Sequence, residues 1–286
     1  MPVFSVNTWS LEKLLGPLRM VEWREDRKEH ALRVESRPEA VTLIELLAML
    51  GDRGYGAVEL SYAQFRETAD ESLEHIRLAA RQAGVEMASL LLDYGDPSSA
   101  DPVRRRADSL WYSRWIEIAA KAGFRRVRIP AGDGNPNDRA ALSRAAEGLS
   151  AAAQYAAPLG VKVVTENLGS LLSTSANCLQ MLELCKGAVG LTADFGNFKT
   201  DKYRQLGEVL PAAETVHAKA EAADGGGIDE ADFRRCVELC ADSGFKGPYS
   251  LTYLGGAADV WGMLDRMRAA VDDQWTKRLL SGYTGG

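Results

Sequence analysis

Two carboxylates and an imidazole stand at the ends of three successive short apolar runs: Glu166 after Val161 to Thr165, Asp194 after Val189 to Ala193, and His217 after Thr215 and Val216. Oxygen and imidazole donors of this kind suit a divalent cation held beside a substrate. A fourth run, Tyr249 to Tyr253, offers only Thr252 where a further ligand would be expected. Three donors on three separate segments can meet only if the fold brings those segment ends together.

The hydrophobic period shows how it does so. Short β-type runs are expected at Val3 to Asn7, Ala57 to Leu60, Glu86 to Leu92, Arg126 to Pro130, Lys162 to Glu166, Gly190 to Asp194, Thr215 to Lys219 and Tyr249 to Tyr253. Helical patterns alternate with them near 40–53, 70–83, 103–122, 138–158, 175–186, 203–210, 229–243 and 259–272. Several helices close on a glycine just before the next strand, at Gly84, Gly123, Gly160 and Gly244. Glycine there supplies a left-handed helix cap and the turn into a buried strand. Eight such βα units predict an α/β fold, a single (β/α)8 TIM barrel over residues 1–274, with its chemistry at the carboxyl ends of the strands. An open doubly wound sheet is the alternative, but no Gly-x-Gly-x-x-Gly follows the first strand.

On a barrel, strand ends and the first loop residues converge on one cavity. That cavity would collect Asn7 and Trp9, Glu59, Asp93 and Tyr94, Arg128, Glu166 and Asn167, Asp194 and Asn197, His217 and Lys219, and Thr252 and Tyr253. Burying so many polar groups is costly unless they bind a cation, a substrate or one another. Metal ligation is therefore assigned to Glu166, Asp194 and His217. Substrate contact is assigned to Asn7, Trp9, Glu59, Arg128, Asn167, Asn197 and Thr252. Taken singly, Glu59 or Asp93 also reads as a salt-bridge partner, and Arg128 as the counter-charge of Glu59 or Glu166.

Two segments interrupt the repeat. Residues 10–38, charged and containing Trp23, lengthen the first βα connection and either cover the barrel mouth or form a charged helix on the outside. Residues 275–286 end in Gly-Tyr-Thr-Gly-Gly and read as a tail that frays or docks on a neighbour. Tryptophans expected to be exposed on the insertion point to a homo-oligomer.

Composition excludes several classes. A net charge of -6 argues against a broad nucleic-acid footprint, despite the Arg104-Arg105-Arg106 triplet, which reads as a solvated helix start. No basic leader precedes an apolar stretch, and no run approaches the roughly 20 apolar residues of a membrane span. A cytoplasmic protein with no membrane partner is expected. The four cysteines, Cys178, Cys185, Cys236 and Cys240, lie in helical patterns without a Cys-x-x-Cys pair and read as reduced thiols. A Gly-x-Ser-x-Gly nucleophile elbow is absent.

The segments Gly54-Tyr-Gly-Ala-Val-Glu-Leu60, Gly160-Val-Lys-Val-Val-Thr-Glu-Asn167, Gly190-Leu-Thr-Ala-Asp194 and Val216-His-Ala-Lys219 resemble the xylose isomerase-like TIM-barrel superfamily. That group includes sugar isomerases and epimerases, sugar-acid dehydratases and endonuclease IV. The resemblance implies a small sugar-like substrate and a divalent metal, Mn2+, Mg2+, Co2+ or Zn2+, held by Glu166, Asp194, His217 and a last-strand glutamate. Thr252 occupies that glutamate's position, and the family's Asp-x-x-His reads Asp194-Phe-Gly-Asn197. The metal is then weak or absent, unless Asp259 or Glu221 replaces the lost ligand; these two residues otherwise read as a helix cap and a surface charge.

In the family's epimerases, glutamates of strands five and eight act on opposite faces of one carbon. Threonine is no general base near neutral pH. What the resemblance leaves is a one-base isomerase or epimerase scheme: Glu166 takes the proton, Lys219 or Arg128 steadies negative charge, and water returns a proton. Alternatives are a non-catalytic or partner-dependent small-molecule binder, and a lyase or deglycosylating subunit. Endonuclease IV chemistry needs many histidines, and this chain has three.

Overall fold

The computed structural model describes residues 2–223 and 226–283. Asp224 and Gly225 of the glycine-rich loop at 224–227 lie outside the described residues, as do 284–286. In chain order the elements begin with β1 (Phe4–Asn7), a 3-10 turn at Thr8–Leu11, β2 (Leu18–Arg24), β3 (Glu29–Glu35), α1 (Leu43–Asp52) and β4 (Ala57–Ser61). They continue with α2 (Asp70–Gln82), β5 (Glu86–Leu91), α3 (Pro102–Ala122), β6 (Arg126–Arg128), α4 (Arg139–Ala156) and β7 (Lys162–Glu166). The last are α5 (Ser175–Leu184), β8 (Gly190–Asp194), α6 (Lys202–Val209), β9 (Ala213–Ala220), α7 (Glu230–Asp242), β10 (Tyr249–Tyr253) and α8 (Val260–Tyr283).

Eight parallel strands close in the order β1-β10-β9-β8-β7-β6-β5-β4, giving the (β/α)8 barrel expected from the repeat. The glycine joints act as anticipated. Gly123 ends α3 at φ 86° and Gly160 precedes β7 at φ 73°, both left-handed conformations that a side chain would strain. Outward residues of the strands, such as Val163, Leu191, Val216 and Leu251, are fully buried against the helices. The inward face is far more polar. Ser5, Glu59, Ser89, Thr192, Thr215, His217 and Ser250 are all buried. A barrel interior normally filled by branched apolar side chains therefore carries a polar column beneath its mouth.

The insertion differs from both expectations. It folds as an antiparallel hairpin of β2 on β3, with Leu18 opposite Glu35 and Arg24 opposite Glu29. Alternation along these strands is blurred by Arg and Glu, which hides the two-residue period from a sequence reading. The hairpin seats on α3 and on the turn after β4: the Val21 N–H donates to the Tyr62 hydroxyl at 3.0 Å, and His30 Nε2 meets Asp108 Oδ1 at 2.9 Å. Nothing from β2 or β3 lines the mouth cavity. Trp9 and Trp23 are half-buried rather than fully exposed, Trp23 beneath the Arg104 guanidinium.

The last helix runs through Trp275 to Tyr283, with no break where the tail was expected to begin, and the Trp275 indole N–H donates to the Tyr249 hydroxyl at 3.2 Å on the chain's own barrel. Asp259 caps α8, its carboxylate accepting from Gly262 N–H at 2.9 Å. All four cysteines are buried and unpaired. Among the described residues, no helix is long and apolar enough to cross a membrane.

Candidate active site

Register places the chemistry. Asp194 pairs with His217, His217 with Ser250, and Ser250 with Ser5, so one row of the barrel carries the second carboxylate beside the imidazole. Because side chains alternate along a strand, His217 and Lys219 of β9 both face inward, with Lys219 one layer nearer the mouth. Thr252 is the in-register neighbour of Lys219. Asn167 then stitches two strand ends together: its carbonyl oxygen accepts from Asp194 N–H at 2.7 Å and its amide donates to Asp194 O at 3.1 Å. Asp194 Oδ1 accepts from Gly196 N–H at 2.7 Å, and Oδ2 lies 3.7 Å from His217 Nδ1.

Glu166 is the hub. Its Oε1 accepts from the Asn197 amide at 2.8 Å, while Oε2 lies 3.1 Å from Arg128 Nε and 3.4 Å from His217 Nδ1. On the far side of the ring, His217 Nε2 lies 2.9 Å from Glu59 Oε2. These are contacts of charge rather than aligned hydrogen bonds, and Glu166 Oε2, Glu59 Oε2, His217 Nε2 and Arg128 Nε have no hydrogen-bond partner. Arg128 is otherwise committed. It donates to Leu92 O at 3.0 Å and ion-pairs with Asp93, whose other oxygen accepts from Trp9 Nε1 at 2.8 Å and Ser61 Oγ at 2.9 Å.

Burial would push the Glu166 carboxyl up, but the charges of His217 and Arg128 outweigh it and bring the group to about 2. The same competition lowers Glu59, where burial is overcome by His217. His217 itself is raised well above its ordinary value: burial opposes its charge, and Glu166 and Glu59 prevail. Without a metal, the imidazolium is thus the counter-ion of the two glutamates.

A cavity of 340 Å³ opens above this cluster. It brings together the residues nominated from sequence except Glu59, Tyr94, Asn167 and Tyr253; Tyr94 packs on His30 and Trp111, and the Tyr253 hydroxyl donates to Gly227 O at 3.1 Å. Glu59 lies beneath His217, and Asn167 is turned to the backbone of Asp194, so neither is placed to touch a substrate. Asp93, read as a strand-end group or salt-bridge partner, fills both places. Leu168 and Leu254 also line the cavity and escaped the sequence reading, because apolar loop residues carry no local mark of their position.

One ligand atom from each of Glu166, Asp194 and His217 lies within 4.8 Å of the others. The unsatisfied Glu166 Oε2 and the hard oxygen-plus-imidazole set fit a divalent cation. Glu59 completes the fit, since a ligating histidine usually gives its other ring N–H to a carboxylate. Thr252 offers no fourth carboxylate, and its hydroxyl donates to Ser250 O of its own strand at 3.2 Å.

A closed (β/α)8 barrel with a carboxylate-imidazole cluster at its mouth defines a class, and the chain belongs to the xylose isomerase-like TIM barrel family, whose model matches residues 47–274. Among solved structures it is similar to an L-ribulose 3-epimerase, at a TM-score of 0.72 and 17% identity over 98% of each chain. It is also similar to the D-psicose 3-epimerase of Clostridium cellulolyticum H10, solved with D-tagatose, at a TM-score of 0.64 and 17% identity over 96% of this chain and 99% of that one. A xylose isomerase-like TIM barrel protein from Mycobacterium smegmatis in complex with magnesium gives a TM-score of 0.63 at 15% identity, covering 94% of this chain and 97% of that one. At these identities the likeness is one of fold. Comparison with curated proteins finds no match.

Proposed function

We propose that the chain is a sugar or sugar-acid isomerase or epimerase that moves a proton at a carbon beside a carbonyl, with Glu166 as its single base. The observation that carries the reading is the setting of Glu166: ionised, held through Oε1 by Asn197, with a buried Oε2 that no hydrogen bond satisfies, in a residue that lines the mouth cavity. Fold neighbours that are sugar 3-epimerases support a substrate of that size and class.

Glu166, Asp194 and His217 would hold a divalent cation, and such a cation, when bound, would polarise a carbonyl as a Lewis acid. The chain's own groups do the rest. Glu166 takes the proton, and Asn197 fixes the plane of its carboxylate. Arg128, buried and already paired, keeps that carboxylate in place, while Lys219 supplies positive charge from the cavity wall. Thr252 offers no base opposite Glu166, so the proton returns from water.

That same residue favours a second reading, a barrel that binds a sugar-like molecule without turning it over. Incubation of manganese-loaded protein with ketoses and keto-acids in D2O separates the two. Deuterium should enter at the carbon beside the carbonyl, and Glu166→Gln should slow entry by roughly 100-fold or more. Binding without exchange, or exchange untouched by Glu166→Gln, would sink the enzymatic reading.

A further inference from the structure

Among the described residues, every charged group at the mouth sits in an ion pair except one. Arg128 is matched by Asp93 and Glu166, and His217 by Glu59, Glu166 and Asp194. Lys219 lines the same cavity, yet its ammonium makes only a long hydrogen bond, 3.4 Å to Asn197 Oδ1, and no carboxylate among the described residues reaches ion-pair distance. Its flanks explain why. On one side stands its register partner Thr252, short, neutral and turned to its own strand. On the other is Gly196, where an added Cβ would lie 3.2 Å from the Lys219 chain. The Glu221 carboxylate also borders Gly196 but forms no ion pair with Lys219.

Resting on the function proposed above, we infer that Lys219, over Thr252 and beside Gly196, is the seat of an anionic group on the substrate, which makes the substrate a polyhydroxylated acid rather than a neutral ketose. Thr252 is short and turned to its own strand, and the ammonium that lines the cavity supplies a charge that no ion pair among the described residues answers. Pairing a half-buried ammonium with a substrate anion gives a charge-assisted bond that a hydroxyl cannot equal. Asn197 ties this seat to the base, with its amide on Glu166 and its oxygen facing Lys219. A carboxylate and a phosphate monoester share the chemistry required.

Three compounds on one skeleton test it: D-fructose, D-fructuronate and D-fructose 6-phosphate. Their affinities would be measured by calorimetry on manganese-loaded protein that keeps Glu166, itself a candidate metal ligand. One of the anions should bind at least roughly tenfold tighter than fructose, and Lys219→Met and Thr252→Glu should each erase that preference. Should Thr252→Glu fail to fold, Lys219→Met carries the test alone. The tighter anion shows whether the seat takes a carboxylate or a phosphate. Equal affinity for all three, or a preference that survives Lys219→Met, overturns the anionic seat and leaves the proposed function standing. Binding of none of the three overturns both.

Discussion

Replacing Arg128 with Met tests the electrostatic account of the site most directly. The guanidinium is 3% exposed and faces two carboxylates, at 3.1 Å from Glu166 Oε2 and in a tight ion pair with Asp93. Removing one partner of a buried pair costs about 3–5 kcal/mol, because the charge left behind has lost both water and counter-ion. Here the lower end applies: Asp93 keeps the Trp9 and Ser61 donors, and Glu166 keeps Asn197 and His217. About 3 kcal/mol corresponds to a fall in Tm of roughly 5–6 °C for a chain of this size.

A pH series on chelator-treated protein adds the sign. The Glu166 carboxyl, ordinarily 4.5, lies at about 2 in the folded state. A depressed carboxylate contributes stability that is present above its unfolded pKa and is lost as pH falls through the folded one. For Glu166 that window runs from about 4.5 down to about 2, and the full shift is of order 3 kcal/mol. Part of this is the Arg128 interaction itself, so the two figures are not summed. In Arg128→Met the Glu166 carboxyl rises, and the loss of stability between pH 4.5 and 2 becomes shallower. Calorimetric or circular-dichroism melts would read both effects. A Tm within about 2 °C of the parent, with an unchanged acid limb, would refute the claim that Arg128 holds the buried carboxylates.

Glu59→Gln removes the carboxylate beside His217 Nε2 and should weaken manganese binding by roughly 10–100-fold in an EPR titration. With three histidines in the chain, imidazole nitrogen NMR should show His217 losing its proton at a lower pH in the metal-free variant. Unchanged affinity would reduce Glu59 to a packing residue. Burial pushes the Cys178 and Cys236 thiols up to about 12, so a thiolate-directed reagent at pH 8 should label neither in native protein and all four cysteines after denaturation. Rapid native labelling of either would mean that its helix opens readily.

Local pattern made much of the barrel legible. β7, β8 and β10 begin and end where the sequence reading placed them, because apolar β-favouring runs are bounded there by turn residues or polar loops. Glu166, Asp194 and His217 could be chosen together for the same reason: a strand's last residues face the mouth, and that depends only on chain direction and a period of two. The hairpin at 18–35 could not, since its pairing joins residues up to 17 apart in the chain and its charged alternation imitates a loop.

Tertiary structure decided the partners. Whether Arg128 would answer Glu59, Glu166 or Asp93 depended on how closure turned β6 toward β5 and β7, and it answers the last two. Glu59 was recognisable as a buried acid, yet only closure of β4 across from β9 sets it under the imidazole instead of in the cavity. Thr252 beside Lys219 is a matter of register between β9 and β10. Residue types thus determined which chemistry the chain can host, through one-dimensional periodicity. Charge pairing, a three-dimensional property set by contacts between distant strands, decided which of those groups are satisfied and left Lys219 facing the cavity without a counter-charge.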